Sequence, residues 1–86
     1  MILKVVAIYD KKAQCYGAPM YVRTIGEAVR GFTSAVNDPK TPFAQFPVDY
    51  VLALLGDYDD VSGALIPHPA GAESIIQGTE VVNSAS

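Results

Sequence analysis

Residues Ile2 to Tyr9 read ILKVVAIY, a β-branched run broken by one lysine and closed by DKK. This pattern predicts a strand. Alternation sets Leu3, Val5, Ala7 and Tyr9 on one face and Ile2, Lys4, Val6 and Ile8 on the other. Both faces are mostly apolar, so the strand is expected at the centre of a sheet. Asp10 to Pro19 is polar, holds Gly17 and Pro19, and reads as a loop of about ten residues, longer than an ordinary hairpin connection. MYVRT follows as a short strand, with Met20 and Val22 on one face and Tyr21 and Arg23 on the other.

Thr24 to Val36 carries the clearest helical pattern. Ile25, Val29, Phe32 and Val36 form one apolar stripe. Thr24 and Glu27 have the spacing of a capping box, in which each side chain satisfies a free N–H at the helix start. Gly26 and Gly31 weaken the helix by up to about 1 kcal/mol each, so it depends on docking. Pro39 disfavours helix at Asp38 and ends it. In KTPFAQFP a single turn is expected with Pro42 at its first position, pinned to the core by Phe43 and Phe46. Val48 to Leu55 reads as a strand, GDYDDVSG as a turn with Gly63 in the left-handed position, and Ala64 to Ile66 as the returning strand.

These elements predict an α+β fold, a small antiparallel sheet in the order β-β-α-β-β with one helix on one face. Residues 1–66 form the expected single domain. Residues 67–86 read as a partly irregular extension in which ESIIQ and EVV pack as short pieces and the last few residues fray. The sheet face without the helix is the expected place for a dimer contact.

Composition strengthens the oligomer expectation. A chain of 86 residues buries only about 60–65% of its unfolded surface. Half of its residues are hydrophobic and 17% are charged, below the ordinary ~25%, and a self-association surface would absorb the excess. The net charge of −3 hides an asymmetry: all 6 Lys and Arg precede residue 41, whereas residues 44–86 carry acids and no base. An acidic average argues against strong nonspecific polyanion binding, but the split allows one basic face. No signal peptide is read at the N-terminus, because MILKVVAIYDKK is charged too soon. No apolar run reaches membrane-spanning length. A lone cysteine, Cys15, forms no internal disulfide and suits a reducing cytoplasm.

Little in the chain suggests catalysis. Asp57, Asp59 and Asp60 resemble the start of a calcium loop. An EF-hand, however, needs Gly at the sixth position and Glu at the twelfth, where Ser62 and His68 stand. His68 lies between two prolines without an obvious nucleophile or orienting partner. No cofactor motif is present, and a non-enzyme is expected. The feature left over is a basic-aromatic cluster: Tyr9, Lys11, Lys12, Tyr16, Tyr21 and Arg23, with Arg30 on the helix as a further cation. Single-strand binders pair cations that follow phosphates with rings that stack on bases.

The segments AIYDKKAQCYGAPMYV, AVNDPKTPFAQFPVDYVL and LGDYDDVSGAL occur in the same order as in the small nonstructural proteins of gokushovirus-type microviruses, which are single-stranded DNA bacteriophages. The chain resembles that family over roughly residues 4–66. The resemblance implies a phage protein made in the bacterial host cytoplasm, described as DNA-binding, with a role in the switch to single-stranded genome synthesis or in packaging. It supplies no binding residues. Two function classes follow: a sequence-nonspecific single-stranded DNA binder, and an oligomeric protein-interaction module that does not bind DNA.

Overall fold

The computed structural model describes residues 1–82; the final residues, where fraying was expected, lie outside them. The chain is α+β, as the pattern predicts. Its strands are β1 (Ile2–Asp10), β2 (Cys15–Tyr16), β3 (Met20–Val22), β4 (Tyr50–Asp59), β5 (Leu65–Pro67) and β6 (Glu73–Gln77). The helices α1 (Ile25–Val36) and α2 (Pro42–Gln45) lie between β3 and β4, and short 3-10 turns cover Pro47–Asp49 and Gly78–Glu80.

All six strands belong to one antiparallel sheet. The long strands β1 and β4 form its centre, paired from Ile2↔Asp59 to Asp10↔Tyr50. One extra residue, Leu55, sits in β4 where the register shifts between Val5 and Val6. β2 and β3 share the outer edge of β1, and β5 and β6 share that of β4. Each edge is therefore one interrupted strand.

Helix α1 covers one face. Val6, Ala28, Phe32, Val36 and Leu52 make its buried core, with Ile8, Val22, Leu54 and Ile76 packed around them. At the helix start Thr24 Oγ1 accepts a hydrogen bond from Glu27 N at 3.1 Å. The reciprocal bond is shifted by one residue: Glu27 Oε1 accepts from Arg23 N, at 3.3 Å. Thr41 caps α2, and Phe43 meets Tyr50 edge to face at 4.7 Å. Phe46, expected in the core, is instead 55% exposed.

Three further readings change. Gly56 to Asp59, expected in a turn, continue β4 and pair with both Ile2–Val5 and Leu65–Pro67. A Cβ on Gly56 would come within 2.2 Å of the Ile66 carbonyl oxygen, so glycine here serves close strand approach rather than a turn. The actual turn spans Asp60 to Ala64, with Gly63 at φ +78° as expected. The Asp10–Pro19 loop is mostly hairpin: it turns at Lys11–Gln14, forms β2, and bulges before β3. The stretch after Pro67 supplies β6 to the same sheet, and Val81 packs against the core and accepts a 2.9 Å hydrogen bond from Asn37 Nδ2.

Candidate nucleic-acid interface

Residues directly opposite one another in an antiparallel ladder project to the same face. The register therefore assigns each strand side chain. Val6, Ile8, Tyr50, Leu52 and Leu54 face α1. Leu3, Val5, Ala7, Tyr9, Tyr16, Tyr21, Val51, Ala53 and Tyr58 face the other way. Four of the five tyrosines thus share the face that α1 leaves open. The four strand acids take the opposite register: Asp10 with Tyr50, Asp57 with Lys4, Asp59 with Ile2, and Glu73 with Leu54. No strand acid points into the tyrosine face.

The tyrosines form two pairs. Tyr9 and Tyr16 have ring centroids 4.8 Å apart at 55°, and Tyr21 and Tyr58 are 5.4 Å apart at 62°. The edge-strand member of each pair is open to solvent: Tyr16 is 45% and Tyr21 49% exposed. Between the pairs the floor is made of small residues. Val5, Ala7, Val51 and Ala53 are buried although α1 packs on the other face. A shallow hollow of about 270 Å³ opens beside the first pair, lined by Tyr9, Lys11, Tyr16, Val51, Ala53 and Gln77 among others.

The cations predicted with these rings divide. Lys11 Nζ donates to Gln77 Oε1 at 2.7 Å, which holds it at the hollow. Lys12 follows in the exposed turn, and exposed Arg23 lies two residues beyond Tyr21. Arg30 does not join them, because it lies exposed on α1, which packs on the opposite sheet face. Tyr58 escaped the sequence reading; the signal for it was the alternation of Gly56, Asp57, Tyr58 and Asp59.

Several other ionisable groups are engaged locally. Lys4 Nζ meets Asp57 at 3.3 Å, and the N-terminal amine meets Asp60 at 2.8 Å, which raises the amine above its ordinary pKa. Asp59 is held below its usual value chiefly by the hydrogen bond from Val61 N. Burial raises Tyr50, with Asp10 and Asp49 adding to the effect. His68 Nε2 lies 2.9 Å from Glu73. Among the described residues no cluster of His, Cys, Asp or Glu could hold a metal ion, and no helix is long and apolar enough to cross a membrane. A larger apolar cleft of about 650 Å³ lies between α1 and the β2–β3 edge, but its charged members, Asp10 and Glu27, would repel phosphate.

No curated protein matches the chain, and neither does any solved structure. A family profile does match, over residues 3–81, nearly the whole chain and well past Pro67, where the earlier resemblance stopped. On that match, the chain with this tyrosine-faced sheet belongs to the phage ORF5 protein family.

Proposed function

We propose that this phage protein binds single-stranded DNA without sequence preference, through the open face of its sheet. The observation that carries this reading is the segregation of four tyrosines onto one face from which every strand acid is excluded. Bases stack on the tyrosine rings, which accept any base because every base has a π-face. Lys11 and Lys12 at one end and Arg23 at the other neutralise the backbone. A single strand suits the site because its bases are free to turn onto the rings, whereas a duplex keeps them stacked inside. The microvirus resemblance supports a role for such binding in the switch to single-stranded genome synthesis or in packaging, in the host cytoplasm. Titration of labelled single- and double-stranded oligonucleotides at two salt concentrations tests the proposal. With three to five phosphates neutralised, log K against log[salt] should slope by roughly −2 to −3.5. The slope should flatten when Lys11, Lys12 and Arg23 are all replaced by Ala; unchanged binding in that variant removes the site.

A second reading is an oligomeric assembly module. It is favoured by the exposed Met1, Ile2, Val61, Leu65 and Ile66 around the β4–β5 end of the sheet. A defined oligomer in sedimentation, with no DNA retained even at low salt, would select it.

A further inference from the structure

Resting on the DNA reading above, we infer that the open face holds two separate base-stacking stations, Tyr16 and Tyr21, and that a strand must span both to bind well. Both tyrosines lie on the same interrupted edge. Tyr16 pairs with Tyr9, and Tyr21 with Val5. Four residues of β1 therefore separate the stations, about 14 Å at ~3.4 Å per residue. The floor between them is Val5 and Ala7, with Val51 and Ala53 alongside. None of these offers an aromatic surface, so bases between the stations cross without a ring to stack on.

Each station is built in the same way. An exposed outer ring rests against a half-buried inner one, Tyr16 on Tyr9 and Tyr21 on Tyr58. Tyr21 meets Tyr58 edge to face and Tyr16 meets Tyr9 at a tilt, so neither outer ring is stacked face to face on its inner partner and its far face is left for a base. The inner rings are positioning residues. They restrict the outer rings before DNA arrives, so less freedom is lost on binding. A base-stacked strand advances ~3.4 Å per nucleotide, so 14 Å corresponds to about four steps, or roughly five nucleotides. A dinucleotide reaches one station only.

The test is an affinity series with oligothymidylates of two to twelve nucleotides on the full chain, read by quenching of tyrosine fluorescence. Affinity should rise in one step of roughly 5- to 150-fold between three and six nucleotides, the worth of one added stacked base. Changes of chain length on either side of the step should do much less. Tyr21→Leu should abolish the step while leaving dinucleotide affinity within about twofold, since that ligand still has Tyr16. Tyr21→Phe keeps the ring and should keep the step. Tyr58→Leu should weaken the longer oligomers, and add nothing in the Tyr21→Leu background. A smooth increase with length, in the parent chain and in Tyr21→Leu alike, overturns the two-station arrangement and leaves the DNA reading standing. No binding at any length overturns both.

Discussion

On its covered face the sheet presents Val6, Ile8, Leu52 and Leu54 to α1; on its open face the same strands present Val5, Ala7, Val51, Ala53 and four tyrosines. The first set matches a permanent partner. Its aliphatic side chains meet Ala28, Phe32 and Val36 and leave Val6 and Leu52 fully buried. The second set is shaped differently. Small residues fill the middle, and the large side chains stand at the two ends, each with a hydroxyl that tolerates water. On the proposed reading, β1 and β4 divide a stable core and a binding surface between alternate residues.

The largest expected effect falls on the covered face. Phe32→Ala should cost about 3–5 kcal/mol, seen as a large drop in the denaturant midpoint. Next comes Gly78, where a Cβ would lie 2.2 Å from the Pro47 carbonyl oxygen. Gly78→Ala should cost about 1–3 kcal/mol through overpacking, measured in the same way. Tyr21→Ala, on the open face, should cost only the ring pair with Tyr58, about 0.5–1.5 kcal/mol. A loss equal to that of Phe32→Ala would break the contrast, because it would make the open face a second core. The smallest effect belongs to Asp59. Its folded-state pKa lies below its ordinary 3.8, so its contribution is full above that value and fades as pH falls through the lower one. Protection of the Val61 and Gly63 amides, taken against the intrinsic exchange rate at each pH, should therefore fall below about pH 4 in the parent chain, with a weaker pH response in Asp59→Asn.

Much of this was legible in the sequence. The β1 pattern, the α1 stripe and the Thr24 cap are local signals, and the structure keeps all three. Strand alternation, which needs no knowledge of neighbours, also set Tyr9 and Tyr21 on their faces, whereas Lys11 and Tyr16 read as loop residues and the hairpin that brings Tyr16 beside Tyr9 was not legible. What failed depended on distant contacts. Gly56 and Asp57 read as turn residues by chemistry, yet Gly56 is set by the approach of Ile66, and Asp57 is satisfied across the sheet by Lys4. Tyr58 was lost with them. Arg30 could be assigned to a face only after knowing which side of the sheet α1 covers, and ESIIQ gave no sign that β4 would be its partner.

The most direct test is a single comparison by fluorescence anisotropy with a twelve-nucleotide single strand. The parent chain is compared with Arg30→Ala, on the covered side, and with the double variant Tyr16→Leu/Tyr21→Leu on the open side. The account predicts near-parent affinity for Arg30→Ala and, with folding intact by circular dichroism, a loss of at least roughly 25-fold for the double variant, two stacked bases at ~1 kcal/mol each. Equal affinity in all three proteins, or a larger loss from Arg30→Ala, would contradict the assignment of the tyrosine face to DNA.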